Sequence, residues 1–298
     1  ENPDAIQVLL VHEADPCFTM MDSTGMAEAI KKIPYVVSFS TYFDETAQHA
    51  DVILPNHNYL ERWEDVPTPI GLSKPVLGVR KPVVEPQFDT MHAGDAIMAI
   101  AKELGGSVAD AFPWEDYETL LKETMGGHWD ALEEDGFFAP SVGSATGSFA
   151  FYGEENEPVE AEGDGATYPL TLIPVELMRL PNASVGSPPF CTKTLEVFEL
   201  KGNDVFVEIN PKTAGDYGLA EGRFARLETP KGEAKVLVHL SEGIMPGLVG
   251  LPKGLGHVGY DEYLAGKGVC ANSLLGVVED AISGLCATWG IRAKLTSV

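Results

Sequence analysis

Glu13 and Asp15 follow one short apolar run, and Ser40, Asp44, Glu45 and Thr46 follow the next. Carboxylates and hydroxyls gathered past the ends of buried strands suit hydrogen bonding to a ligand in the crevice that an α/β sheet opens there. An ordinary crossover with a polar loop would use the same residues. Asp51 and His57 lie close by and invite an acid-base or metal role. A loop histidine packed on Tyr59 and Trp63 is the reading the pattern favours. Glu61, Glu64 and Asp65 then read as a solvated or partner-facing surface. No residue stands out as catalytic, and no metal-ligand set is expected.

The elements that must position these groups begin with the apolar run 5–11, which reads as a parallel strand buried on both faces. A helical pattern over 21–32 follows, then a strand at 35–37 and a third at 51–54. This is β-α-β with a right-handed crossover, half of a doubly wound sheet. No G-x-G-x-x-G follows the first strand, so the standard dinucleotide fingerprint is absent. Residues 67–86 are proline-rich and read as an extended wrap. A helix is expected over 89–104, ended by Gly105 and Gly106. Another is expected over 114–125, started by Pro113 and stopped by Gly126 and Gly127. Residues 136–167 read as an acidic flexible connection, with a brief strand at 149–152.

From Tyr168 onward the pattern is all-β. Strands are expected at 169–173, 205–210, 224–228, 233–240 and 291–295, with a helical turn at 211–217, a hairpin through Pro230-Lys231-Gly232, and residues 248–252 leading into a glycine-rich loop at 253–257. Strands this short and this closely spaced suggest a small closed barrel. The fold class is therefore α/β, the end of a doubly wound parallel-sheet domain, followed by a small six-stranded, double-psi-like β-barrel. The expected division is 1–135, a 136–167 connection, and 168–298.

Composition narrows the partners. The 298 residues carry 45 acidic against 20 basic side chains, a formal charge of -25, which excludes nucleic acid and an anionic membrane surface as direct partners. With 44% hydrophobic residues and a mean hydropathy near zero, the chain can bury a substantial core. No apolar run approaches the roughly 18 residues that span a bilayer, so no direct membrane insertion is expected. Cys17, Cys191, Cys270 and Cys286 are far apart, without a C-x-x-C pair, and read as free thiols rather than a cluster or zinc site. The chain starts at Glu1 in a loop before a strand, and an upstream portion is expected.

Two blocks carry a resemblance. Residues 44–65, DETAQHADVILPNHNYLERWED, resemble a signature of the large subunits of molybdopterin guanine dinucleotide oxidoreductases, the dimethyl sulfoxide reductase superfamily. Residues 209–260, from INPKTAGDYGLAEGRF to LPKGLGHVGY, resemble that family's C-terminal molydopterin dinucleotide-binding barrel, and Asn272 with 280–284 suits its tail. Ser38-Phe39-Ser40 and Leu60-Glu61-Arg62-Trp63 are more similar to the molybdoenzyme-like subunits of quinone-linked complexes, the menaquinone reductase and alternative complex III type. Polysulfide and tetrathionate reductase large subunits are the nearest catalytic relatives in this comparison.

The resemblance implies molybdopterin guanine dinucleotide as cofactor, although the menaquinone-reductase-like type is thought to have lost it while keeping the fold. Ser40 stands where many catalytic members have an acidic residue. The pyrophosphate would need close backbone N–H donors, for which Gly254, Gly256 and His257 are the candidates; a tight barrel turn with a surface histidine is the competing reading. Arg179, Asn182 and Ser184 would face the pterin, or form an ordinary polar loop, and Asn272 would face the ligand. The catalytic metal ligand and any iron–sulfur motif would lie upstream or in a partner. The implied partners are the N-terminal remainder of the subunit, an iron–sulfur subunit, an integral-membrane quinone-binding subunit and cytochrome c, at the periplasmic face of the cytoplasmic membrane. A molybdenum or tungsten enzyme acting on polysulfide, thiosulfate, tetrathionate or formate is the alternative.

Overall fold

The computed structural model describes residues 5–69, 71–72, 74–140, 160–180, 192–280 and 283–298. The chain opens with β1 (Val8–His12), the short helices α1 (Pro16–Thr19) and α2 (Met26–Ile30), β2 (Tyr35–Phe39) and β3 (Val52–Ile53). The three strands form a parallel sheet in the order β1-β2-β3, as the β-α-β pattern requires. Val11 and Val36 pack on Ile30 at one face. Val37 and Phe39 pack at the other on Ala93 and Ala96 of α3 (Ala93–Leu104). β2 is thus buried on both sides, but β1 is not. As the edge strand it leaves Val8 and Leu10 about half exposed, so the expectation of a two-sided buried first strand is corrected. The helix expected over 21–32 shrinks to 26–30, because Gly25 at φ +69° breaks it from a 3-10 turn at 22–24.

The proline-rich wrap is not wholly irregular. β5 (Leu77–Arg80) pairs antiparallel with β4 (Glu64–Val66) and with β6 (Phe137–Phe138). α3 starts only at Ala93, because residues before it are held extended by the Met91 N–H on the Pro55 carbonyl, and His92 caps Gly94. Gly105 ends α3, yet α4 (Gly106–Asp110) resumes at once. α5 (Tyr117–Met125) is capped by Asp116, whose side chain accepts from the Thr119 N–H at 2.8 Å, rather than by Pro113. After Gly126 the chain does not stop but enters α6 (Trp129–Asp135). Trp129 and Leu132 there cover Val79 and Leu121. Within 136–167, β6 pairs with β5 and Glu162 bridges to Ile291. The strand expected at 149–152 lies outside the described residues.

The second half closes on itself. β7 (Leu170–Val175), β9 (Asp204–Ile209), β10 (Phe224–Thr229), β11 (Gly232–Leu240), β12 (Leu248–Pro252) and β13 (Ile291–Ser297) run in the ring order β11-β10-β13-β7-β12-β9. A parallel β9–β11 pairing, Leu237 opposite Phe206, shuts the ring. The short β8 (Leu200–Lys201) hangs on β9 as a hairpin. α7 (Pro211–Asp216), capped by Asn210, connects β9 to the next strand. Inward positions alternate along β10, where Ala225 and Leu227 are fully buried. They join Leu170, Leu172, Val205, Val207, Ile209, Val236, Val249 and Leu251 in one core. Met21 from the first half inserts into the same core, so the barrel and the parallel sheet share an apolar contact. Truncating the fully buried Leu172 to alanine is expected to cost about 2–5 kcal/mol, read as a lowered denaturant midpoint at unchanged slope.

Candidate functional site

The carboxyl ends of β1, β2 and β3 open on a crevice of about 280 Å³, lined by Glu13, Asp15, Ser40, Tyr42, Asp44, Tyr59, Arg62 and, from the barrel side, Tyr260. Leaving β1, Glu13 takes up φ +46°, which turns its carboxylate toward Arg62. Both guanidinium Nη atoms bond that carboxylate, Nη2 at 2.8 Å, and the Asn56 amide adds a bond at 2.8 Å. Burial works against ionisation of Glu13, but the hydrogen-bonded Arg62 guanidinium outweighs it and holds the carboxyl below its usual range. Arg62 also reaches the His57 carbonyl and Glu64, and Glu64 pairs in turn with Arg80.

Ser40 donates to Asp44 Oδ2 at 2.8 Å and accepts the Tyr42 N–H, while Asp44 Oδ1 accepts the Ala47 N–H at 2.7 Å. Asp15 Oδ1 accepts both the N–H and the hydroxyl of Thr46, at 2.9 and 2.6 Å, and its Oδ2 is buried where no donor reaches it. Glu45 turns away from the crevice and into the barrel. Its Oε1 accepts the N–H groups of Val258 and Gly259 at 2.7 and 2.9 Å, and His257 Nδ1 lies 3.1 Å from both oxygens. His257 is fully buried, stacked on Phe18 at 3.6 Å between ring centres, with Tyr260 edge-on at 4.8 Å. The surface-histidine reading is therefore overturned.

Asp15, Glu45 and His257 bring donor atoms within 4.8 Å of one another, the one such group among the described residues. Glu45 is already engaged by two backbone amides and an imidazole nitrogen, so the cluster is a hydrogen-bond network. Burial, the neighbouring Glu45 and the Asp44 charge push the Asp15 carboxyl up to about 7, against the pull of Thr46. Burial also disfavours the Glu45 anion, but the His257, Asp15 and Gly259 hydrogen bonds prevail and bring it down to about 2.

The other expected ligand residues have structural partners. Gly256 at φ +87° donates its N–H to the Lys267 carbonyl, and a Cβ there would stand 1.9 Å from the Cys270 nitrogen. The Tyr260 N–H goes to the Phe43 carbonyl at 2.7 Å. Amides of the glycine-rich loop are thus spent on protein acceptors, and its glycines let chain approach chain. Gly254, at φ +82°, is buried in the same loop. Asn272 donates to the Phe18 and Thr19 carbonyls at 2.7 and 3.1 Å, tying the barrel to α1. Arg179 is half exposed and pairs with Glu196, away from the crevice lining. Asn182 and Ser184 lie outside the described residues, as does Cys191; Cys17, Cys270 and Cys286 are free thiols.

His57 bonds Thr90 at 2.6 Å and Asp51 holds the Val36 N–H at 2.7 Å, so each secures a segment of backbone or loop. Glu64 and Asp65 are not merely solvated. Glu64 sits between two arginines, and Asp65 accepts from the Tyr117 hydroxyl at 2.9 Å, which with burial pushes that phenol up to about 12. Sequence reasoning missed Phe18, Tyr42 and Tyr260, whose roles arise only where the two halves meet.

The match to known proteins falls on the second half first. Residues 190–288 match the molydopterin dinucleotide binding domain. Across 96% of its length the chain is 32% identical to the menaquinone reductase molybdopterin-binding-like subunit of Nitratidesulfovibrio vulgaris, covering 41% of that protein. The chain contains a molydopterin dinucleotide binding domain, and its homologues belong to the dimethyl sulfoxide reductase superfamily. It is also 24% identical to the thiosulfate reductase molybdopterin-containing subunit of Salmonella typhimurium, over 95% of this chain and 42% of that one. Acetylene hydratase from Pelobacter acetylenicus shares the fold, with a TM-score of 0.75 at 19% identity over 98% of this chain and 44% of that one. The chain therefore spans about two fifths of the length of the curated relatives it matches.

A pterin guanine dinucleotide can be tested against this geometry. The crevice offers a carboxylate acceptor at Asp44, hydroxyls at Ser40 and Tyr42, and aromatic walls at Tyr59 and Tyr260. Its volume lies at the low end for a ligand site, which fits the nucleoside end alone. Arg62, the one cation in its lining, is already paired with Glu13 and leaves no free positive charge for a phosphate. The glycine-rich loop offers no pyrophosphate cradle at the amides of Gly256, Val258, Gly259 and Tyr260.

Proposed function

We propose that this chain is part of the molybdopterin-oxidoreductase-like subunit of a membrane-associated, quinone-linked electron-transfer complex, where it walls the nucleoside end of a pterin guanine dinucleotide cleft. The crevice at the ends of β1 to β3, closed on the barrel side by Tyr260, carries this reading. Support for the type of complex comes from the 32% identity to a menaquinone reductase subunit. Asp44 would accept from the donor edge of the base or from ribose hydroxyls, and Ser40 and Tyr42 would orient it. When bound, the cofactor supplies redox chemistry at its metal; this chain contributes binding, orientation and exclusion of water. Its partners would be the remaining part of the subunit, an iron–sulfur subunit, cytochrome c and a quinone-binding membrane subunit on the periplasmic side. No helix among the described residues is long and apolar enough to cross a membrane.

A second reading has its own support: the cofactor is lost and the fold is kept as a scaffold. Ser40 is pinned on Asp44, and the loop amides are occupied by Glu45. Metal and pterin analysis of the purified complete complex separates the two. Stoichiometric molybdenum or tungsten with extractable pterin establishes the first; neither, in a complex that still reduces quinone, establishes the second. A complex with no quinone activity and no membrane subunit overturns both.

A further inference from the structure

The seam between barrel and parallel sheet holds more buried carboxylate than its visible donors satisfy. Asp15 is 8%, Asp44 5% and Glu45 7% exposed, and no lysine or arginine of the described residues forms an ion pair with any of the three. Asp44 is satisfied within its own turn by Ser40 and Ala47, and Glu45 by the loop 257–259. Asp15 alone keeps an oxygen buried with no donor, and its carboxyl lies within 4.8 Å of Glu45 and His257. Two facing carboxylates in such a place cannot both ionise cheaply, because burial raises the cost of each charge and their repulsion adds to it.

We propose that Asp15 and Glu45 share one proton, donated from Asp15 Oδ2 toward Glu45, and that this proton locks the barrel's 257–260 loop onto the ends of β1 and β2. The other groups facing the pair are Cys17 from α1, Tyr42 and Asp44 from the turn after β2, and His257, Tyr260 and Cys270 from the barrel. None is a lysine or arginine, and the His257 imidazole directs Nδ1 at Glu45 while its buried Nε2 has no polar partner. Loss of the shared proton puts two anions face to face across the seam. The repulsion then acts on the two hydrogen bonds that the Val258 and Gly259 N–H groups donate to Glu45. Because Asp15, Asp44 and Tyr260 also line the crevice, releasing them widens the same crevice.

The sign of the pH effect follows. The folded pair keeps one proton between about 2 and about 7, whereas unfolded carboxylates titrate near 4. From about pH 4 to 7 the folded state binds the extra proton, so the pair's contribution to stability falls as pH rises. Below about 4 the unfolded state binds more protons, and stability falls as pH drops.

Hydrogen exchange of the Val258 and Gly259 amides, followed in the full chain from pH 5 to 8, tests this. With intrinsic base catalysis divided out, protection is expected to fall by up to about tenfold per pH unit as the shared proton is lost. Asp15→Asn, which donates permanently toward Glu45, is expected to abolish that slope. In the wild type, the infrared carbonyl band of a protonated carboxylic acid is expected at pH 6, gone by pH 9, and absent throughout in Asp15→Asn. A flat wild-type profile, an unchanged slope in Asp15→Asn, or no protonated acid at pH 6 overturns the proposal. So does loss of protection on adding EDTA at pH 6, because a cation would then hold the pair. If Asp15→Asn does not fold, the wild-type infrared titration decides alone.

Discussion

Gly256→Ala is expected to destabilise the chain by about 3–5 kcal/mol and to loosen the barrel's contact with the parallel sheet. A Cβ at this position would stand 1.9 Å from the Cys270 nitrogen and 2.3 Å from the Val269 carbonyl carbon, both backbone atoms that no side-chain rotation can move aside. The residue also sits at φ +87°, where an L side chain costs about 1–3 kcal/mol by itself. Forced overpacking of a close contact adds about 1–3 kcal/mol more. Gly222 is a useful comparison. It has a similar φ of +66°, but a Cβ added there would meet nothing within 4 Å, so Gly222→Ala should show the backbone cost alone. Urea midpoints for the two variants measure the difference. Equal losses would mean that the chain at 269–270 moves aside freely, and that the glycine serves only its turn.

Glu45→Ala should lower stability by about 3–5 kcal/mol for a different reason. It deletes one acceptor group and strands three donors at once: the amides of Val258 and Gly259 and the His257 Nδ1–H. A buried donor left without a partner costs about 1–3 kcal/mol, and relief of the Asp15 repulsion returns part of the total. Glu45→Gln keeps a carbonyl for the backbone N–H groups but turns a carboxamide NH2 toward the imidazole or toward Asp15, so about half the loss is expected. With folded domains stable by only about 5–15 kcal/mol, the alanine variant should show a clear drop in thermal midpoint. A loss below about 1 kcal/mol would show that this carboxylate does not hold the loop.

The barrel was legible from short-range pattern. Ala225 and Leu227 alternate with exposed or half-buried neighbours, Pro230-Lys231 marks the hairpin, and both strands fall within a residue of expectation. The polar crevice was legible too, since Glu13, Asp15, Ser40 and Asp44 all reach it. Helix ends were less so. Asp116, three residues beyond Pro113, is the better cap, and Trp129 restarts a helix after a glycine pair because Val79 and Leu121 need covering. Nothing local could reveal what Glu45 or His257 does. They are 212 residues apart, and each on its own reads as a loop residue with a ligand to find. Glycine content at 254–256 was visible, but whether the close approach it allows is to a phosphate or to the protein's own backbone depends on which segments meet there.

The place of β13 in the ring has a consequence for biosynthesis. This strand, the last in order, sits between β10 and β7, and it pairs Ile291 with Leu172, a residue translated 119 positions earlier. At the usual pace of about 5–20 residues per second, β7 waits on the order of 6–24 s for that neighbour. During that interval one of its hydrogen-bonding edges stands open beside the fully apolar Leu170 and Leu172. Such an edge invites pairing with another nascent chain. Chaperone occupancy on ribosome-bound chains should therefore rise as β7 emerges and fall only once residues 291–297 have cleared the exit tunnel.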